Sequence, residues 1–404
     1  MPLKIQVHSQ ISQIDAQQWD ALVENHQPFL SHAFLHALEQ HHCAAPRYGW
    51  HPQHLAIYHQ NTLIAAMPLY EKHNSYGEFV FDQAWSNAWT QMGLAYFPKL
   101  VSAVPYSPVS GQRFLVRNVA LQNMPINQTE DYSVEFLTQT LWNAALELAQ
   151  QHAYSGLHLL FAHAAQQTWL AQQVAGQPFV YTRHDCHFHW FNQNYTGFDD
   201  FLAQLTPKKR KNIRQERQSV ARAGVTFRRL NGHTATAQDW EHFGYFYTKT
   251  FTEKWSTPTL NTEFFKAVAR ALPNNVLLVL ADKNGQCIAG SLMYYSDTTL
   301  FGRHWGCIEE VNHLHFEACY YQGIEFAIER GLQVFEPGAG GEHKIARGFV
   351  PVETQSTHWL NPSQIPPTLQ ADLDRGLQGF IKQEQQQNQN YIAQCQTHNP
   401  YKTT

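Results

Sequence analysis

Charge is scarce in this chain: Asp, Glu, Lys and Arg together make up 15% of its 404 residues. Long apolar runs are absent too, and no stretch approaches the ~20 residues of a membrane-spanning helix. The six cysteines (Cys43, Cys186, Cys287, Cys307, Cys319 and Cys395) are scattered without a C-x-x-C pair, three of them in apolar segments where a reduced thiol behaves as a small hydrophobe, and disulfides are not expected. The opening run Met1 to His8 lacks the apolar core of a secretory signal, and the expected location is cytoplasmic. A formal net charge of −4 argues against a polyanion binder that uses its whole surface, so an anionic partner needs a local basic patch. What is present is an apolar fraction of 43%, enough for a folded chain with two or three cores of ordinary size.

Residues 3–8 alternate like a strand, a helical pattern follows Asp15 through Trp19 and Leu22, and a second helix follows Ser31 as N-cap. Strands are predicted at 54–58 and 63–70 around a turn at Gln60-Asn61. After Gly224 the order returns: a strand at 225–230, a helix with Trp240, a helix at 262–272, and strands at 276–281 and 288–295 around Asn284-Gly285. Trp19 and Trp240 are separated by the same interval as Leu55 and Val276, and each half closes with a helix leading through a glycine, Gly156 or Gly331, into a strand. Duplication accounts for this parallel, although αβ domains often share such an order by chance.

Between the halves lies the segment Lys208-Lys209-Arg210-Lys211-Asn212-Ile213-Arg214, preceded by Thr206 and Pro207 as cap and first turn of a helix over 207–223. This basic helix is either a solvated face or a holder of anionic groups: a nucleic-acid backbone, a diphosphate or anionic lipid. The histidine-rich strand from Arg183 to Trp190 does not gather three ligands at one point by alternation, and no metal site is assigned. A polar tail over 368–404 begins with apolar residues at helical spacing and turns rich in Gln and Asn.

The densest chemistry lies between His304 and Phe349. The run His315-Phe316-Glu317-Ala318-Cys319-Tyr320-Tyr321-Gln322-Gly323, the Gly341-Glu342-His343-Lys344-x-x-Arg347-Gly348-Phe349 segment, Gly302-Arg303-His304-Trp305-Gly306, Tyr106-Ser107-Pro108-Val109-Ser110-Gly111 and the basic Lys208 to Lys211 together resemble the FemAB-like family of the GNAT superfamily. The likeness covers roughly residues 15–360. It implies an α/β fold of two tandem GNAT-like (acyl-CoA N-acyltransferase) domains, each a central mixed sheet flanked by helices, placed here at 1–190 and 191–367. It also implies a link to peptidoglycan biosynthesis or recognition, with acyl or aminoacyl transfer to an amine. One departure bears on the donor. An acetyl-CoA-binding GNAT domain opens a helix with a glycine-rich pyrophosphate loop, but here the segment from Ile308 to His315 has no glycine and two glutamates. Fem-type ligases, which draw on aminoacyl-tRNA, similarly dispense with that loop. The donor is therefore aminoacyl-tRNA or acyl-CoA, and no bound cofactor is assigned.

Attack of an amine on an ester or thioester needs a neutral nucleophile, a group to take its proton, and donors for the developing oxyanion. Glu317 and His315 stand by a predicted helix start, whose N–H groups and dipole favour a carboxylate. With Lys344 they are the catalytic candidates; the plain reading is a first-turn glutamate and a core histidine. Arg303, His304, Trp305, Tyr320, Glu336, Glu342, His343 and Arg347 are candidates for substrate binding, joined from the first half by Tyr106, Ser107 and Arg113. Lys208, Lys209, Arg210, Lys211 and Arg214 are the phosphate or nucleic-acid candidates. The expected cleft lies where the domains meet, lined by 303–305, 315–320 and 336–347 and facing 106–113. The expected function is Fem-type transfer to an amine of a small-molecule or cell-wall precursor, with tRNA as a further partner. Two rivals are a conventional acetyl-CoA-dependent acetyltransferase and a binding protein without turnover.

Overall fold

In a computed structural model the protein is described over residues 3–116 and 132–402. The chain divides into two units, one holding residues 1–184 and 354–386 and the other 185–353 and 387–404. Each draws on the C-terminal part of the chain.

The first unit runs through β1 (Lys4–His8), α1 (Ala16–Asp20), α2 (His32–Gln40), β2 (Trp50–Pro52), β3 (His54–His59), β4 (Thr62–Met67), β5 (Tyr70–Lys72), α3 (Gln83–Gln91), β6 (Lys99–Ser102), β7 (Leu115–Val116), α4 (Val134–Gln151), β8 (Gly156–Leu159), α5 (Ala164–Gln173) and the start of β9 (Val180–Phe191). Local chemistry sets the helix starts: Asp15 accepts from the Gln18 amide at 2.9 Å and Ser31 from the Phe34 amide at 3.2 Å. One sheet has the order β1-β3-β4-β7, all antiparallel. Leu55, Ile57, Ala65 and Met67 of its central hairpin are buried in one cluster with Leu141, Trp142 and Ala145 of α4. In the other, β2, β5 and β6 pair antiparallel, β8 joins β6 in parallel, and residues 357–360 pair with β8 from its other side.

The second unit holds the rest of β9, then α6 (Phe198–Gln204), α7 (Pro207–Arg222), β10 (Val225–Leu230), α8 (Ala237–Glu253), α9 (Thr262–Ala271), β11 (Val276–Lys283), β12 (Gln286–Tyr295), β13 (Thr299–Cys307), α10 (Leu314–Phe316), a π-helical turn (Glu317–Tyr321), α11 (Gln322–Glu329), β14 (Val334–Glu336), a 3-10 turn (Glu342–Arg347) and most of β15 (Val350–Leu360). Strands β10 to β13 form an antiparallel meander, β14 adds to β13 in parallel, and Phe191 and Trp190 of β9 pair with β14. The tail is a helix, α12 (Pro367–Thr397), with Leu373, Leu377 and Cys395 buried. Beyond it the chain returns to the second unit: the Thr206 amide donates to the Pro400 carbonyl at 2.9 Å, and the Tyr401 hydroxyl to the Gly348 carbonyl at 2.7 Å.

The basic helix α7 has two faces. Ile213 and Val220 are buried, each removing roughly 1.5–3 kcal/mol of apolar side chain from water. Between them in helical projection, Glu216 and Arg217 also turn inward, while Lys208, Lys211, Arg214 and Arg222 are exposed.

Candidate active site in the second unit

Strand β13 sorts its polar side chains by alternation. Trp305 lies toward α10, its ring edge-on to His315 at 5.4 Å. His304 faces the other way, packing on Tyr247 at 5.1 Å and Phe265 at 5.7 Å. Burial, with help from the Arg303 charge, pushes the His304 pKa down to about 3, so this imidazole is a neutral part of the helical layer. Arg303 donates from Nη1 to the Gly302 carbonyl at 2.8 Å, and burial brings its pKa down to about 10 despite the nearby Glu336 carboxylate. His187 and His189 on β9 lie in the same field: burial, then His189, Arg303 and Lys344, lower His187 to about 3, and burial, then Arg303 and Lys344, lower His189 to about 4.

The glycine-rich loop after β14 is closed by Lys344. Gly338, Gly340 and Gly341 all have positive φ (92°, 68° and 95°), conformations that a side chain resists. The Lys344 ammonium donates to the carbonyls of Gly338 (2.7 Å) and Ala339 (3.2 Å), drawing the loop around itself. Its side chain is buried, and desolvation together with Arg303 lowers its pKa to about 8.

Next to Lys344 stands a stack of rings and a guanidinium. Arg347 lies 3.3 Å over the centroid of Phe316, a cation–π contact, and donates to the His343 carbonyl at 2.6 Å and to Glu216 Oε1 at 2.7 Å. The Tyr320 hydroxyl and His343 Nε2 are 2.8 Å apart. His315 touches this group edge-on to Tyr320 at 5.4 Å. Burial brings the His315 pKa to about 4, followed by the charges of His343, Arg347, Lys344 and Lys254. His343 is exposed, and its pKa is also lowered, by desolvation and then by Lys344 and Arg347. The assembly therefore offers neutral imidazoles beside cations, a setting suited to accepting a proton next to developing negative charge.

Glu317 sits behind this surface. The residue is 4% exposed, and its carboxylate accepts from Arg217 Nε at 3.1 Å, Arg217 Nη2 at 3.0 Å and Gln322 Nε2 at 2.8 Å. Arg217 also reaches Glu325 at 2.6 Å, and Arg229 ties Gln322, Glu325 and Glu329 into the same network. The π-helical turn begins at Glu317. Such a turn inserts a residue into the helical register, and it is common at functional sites. Here it carries Tyr320 toward His343 and Tyr321 toward Glu216, to which the Tyr321 hydroxyl donates. Glu342 is exposed at the start of the 3-10 turn, and Glu336 is buried at the end of β14.

Thus Arg303, Trp305, His315, Tyr320, His343, Lys344 and Arg347 lie around the glycine loop and the π-turn, whereas His304 and Glu317 are engaged elsewhere. Sequence reasoning missed Glu216, Arg217, Phe316 and Gln322. A signal existed for the first two: the lone acid of a basic helix, and its neighbour, fall at helical spacing between Ile213 and Val220.

The residues singled out in the first unit are set in its interior. Tyr106, at φ 61°, packs on Trp50 at 5.7 Å and donates to the Cys43 carbonyl at 2.9 Å. Ser107 is buried. The Arg113 side chain, 0% exposed, donates to the carbonyls of Leu160, Gln112 and Val109 at 2.7–2.8 Å. On α7, Arg210, Lys211 and Arg214 line an open groove of about 360 Å³ with Pro207, Gln215 and Gln218. Lys208 is exposed beside it and Lys209 is half-buried.

Among solved structures the chain is similar to the crystal structure of FemX, with 11% identity, a TM-score of 0.56, and coverage of 92% of this chain and 99% of that one. It is also similar to the C-terminal DUF2156 domain of a putative lysylphosphatidylglycerol synthetase from Agrobacterium fabrum (8% identity, TM-score 0.50, 90% and 97% covered). At such identities the likeness is one of fold. No curated protein matches the chain. Residues 10–403 match the FemAB-like family, described as peptidoglycan biosynthesis/recognition, and the chain belongs to that family.

Proposed function

We propose that this protein is an aminoacyl transferase of the Fem type, with tandem GNAT-like units, that acts on an amine of a peptidoglycan precursor and draws its acyl group from aminoacyl-tRNA. The observation that carries this reading is the buried Lys344 closing the glycine loop beside the Tyr320–His343 pair and the Arg347 guanidinium. In the reaction, the amine nitrogen attacks the ester carbonyl, a C–N bond forms, and the C–O bond to the tRNA ribose breaks. The proton lost by the amine passes to the Tyr320 oxygen as the Tyr320 proton moves to His343, which returns it to the departing ribose oxygen. Lys344, with two N–H groups on the loop carbonyls, directs its third at the oxyanion. Arg347 and Arg303 supply positive charge beside the site that favours anionic substrate groups, and Trp305 and His315 wall the site. Glu317 is a positioning residue: it fixes the π-turn that presents Tyr320. The exposed cations of α7 track the RNA backbone.

The segment before α10 supports a tRNA donor over coenzyme A. His313 there has a left-handed φ of 67°, residues 308–315 hold no glycine, and Glu309 pairs with Lys283, an arrangement that does not suit a pyrophosphate. Transfer assays with labelled aminoacyl-tRNA and a UDP-linked muropeptide, with acetyl-CoA as the competing donor, test the reading. Aminoacyl transfer that is lost in Lys344→Met and Arg347→Ala, both still folded, is the expected result. Acetylation by acetyl-CoA, or no transfer from any donor, would overturn it.

A further inference from the structure

At the end of α8 the chain presents a tryptophan almost wholly to solvent. Trp255 is 98% exposed, whereas the large aromatic side chains of this unit are mostly packed in its cores. Single exposed apolar residues are ordinary on a protein surface, so exposure alone assigns nothing. Three further observations do. First, Trp255 has φ 53°, a left-handed conformation uncommon for a bulky side chain, and strain of this kind concentrates at ligand clamps. Second, the turn is fixed: the Trp255 amide donates to the Thr252 carbonyl at 3.1 Å and the Ser256 amide to Phe251 at 2.9 Å. Third, it adjoins the candidate site. One turn earlier on α8, Thr250 Oγ1 donates to the carbonyl of Trp305 at 3.2 Å, and the Lys254 charge is felt by His315. Lys254 is itself exposed and has no ion pair among the described residues.

We infer that Lys254 and Trp255 form a nucleotide clamp at the rim of the site, the indole stacking on a nucleobase and the ammonium meeting its phosphate. A ring beside a free cation suits a ligand that combines a flat heterocycle with negative charge, and base–aromatic stacking tolerates any base. The inference rests on the transferase reading, in which the 3′-terminal adenosine of an aminoacyl-tRNA and the uridine diphosphate of a precursor offer this same chemistry, as does coenzyme A.

Isothermal titration of the whole protein with 5′-AMP, UDP and coenzyme A distinguishes these sources without requiring turnover. At least one should bind; Trp255→Ala should weaken it roughly tenfold or more, and Trp255→Phe should restore most of the affinity. Lys254→Ala should give a smaller loss that shrinks as salt rises. The nucleotide that binds names the substrate served. Equal binding by wild type and Trp255→Ala, with transfer activity intact, would overturn the clamp and leave the transferase reading standing. If no nucleotide binds and no donor supports transfer, both fall. Sedimentation with phosphatidylglycerol vesicles that depends on Trp255, with nucleotide binding unchanged in the variant, would also overturn the clamp, in favour of a membrane contact.

Discussion

Lys344 is buried as a cation, and its surroundings resist that charge. Its pKa falls from the ordinary lysine value to about 8, so near neutral pH it keeps its proton against desolvation because two loop carbonyls accept from it. Between about pH 8 and 10.5 an unfolded lysine still holds a proton that the native one has released. Stability rises with pH wherever the unfolded state binds more protons. Wild type should therefore gain stability relative to Lys344→Met across that window, as chemical denaturation at pH 7.5 and pH 10 would show. The same substitution removes an oxyanion donor and should cut transfer about 100-fold or more. Glu317 obeys a different logic. Removing Arg217 strands its carboxylate in a buried place with Gln322 alone, and breaking a buried pair costs about 3–5 kcal/mol. Because Arg217 keeps some solvent, we expect Arg217→Met to lie at the lower end, about 3 kcal/mol by urea unfolding. Glu317→Gln should cost less, since Arg217 retains Glu325 at 2.6 Å.

Helix α7 shows what an element's two faces can do. Its inner face carries Glu216 and Arg217, adjacent residues that hold Arg347 and Glu317 respectively. Its outer face presents Lys208, Lys211 and Arg214. Reversing those three charges should leave the fold unchanged: among the described residues the exposed Arg214–Asp199 pair is the only ion pair lost, and such pairs contribute little. Binding to tRNA should weaken, and the slope of log affinity against log salt should flatten by about 0.7–0.9 for each phosphate contact removed. Filter binding at several salt concentrations measures both. The extent of this element was readable beforehand, since Thr206, Pro207 and Gly224 marked its ends; the buried stripe of Ile213 and Val220 lay in the same pattern but was hidden by the run of cations around it. Strand β10 and the hairpins β3–β4 and β11–β12 were likewise written in alternation and in Asn-Gly or Gln-Asn turns, because local pattern decides them. The π-turn at Glu317 was not legible, since nothing local marks an inserted residue. Nor were the partners of Glu317, as Arg217 lies 100 residues away and only the tertiary fold brings them together. Arg113 was misleading for a related reason: a guanidinium that reads as an anion clamp is saturated by three backbone carbonyls.

At the scale of the molecule, the two units share the chain unevenly. The first needs residues 354–386, which supply the strand beside β8 and buried Leu360, Leu373 and Leu377. A chain ended at 353 should therefore lose the N-terminal unit, although that deletion is remote from it in sequence; limited proteolysis should find residues 1–184 cut first. Ending the chain at 386 instead removes Pro400 and Tyr401, which bond Thr206 at the start of α7 and Gly348 after the 3-10 turn. Transfer should fall in that variant while the first unit keeps its protection.

This division has a bearing on synthesis. A ribosome delivers the chain from its N-terminus, and a domain folds once its last strand has emerged. Here the first unit must wait with an open sheet edge until nearly the whole second unit has been made. During that interval, β8 presents unpaired backbone groups to any passing strand. Expression yield should therefore depend on elongation speed and on chaperones that shield strand edges more strongly than the stability of the finished protein would suggest.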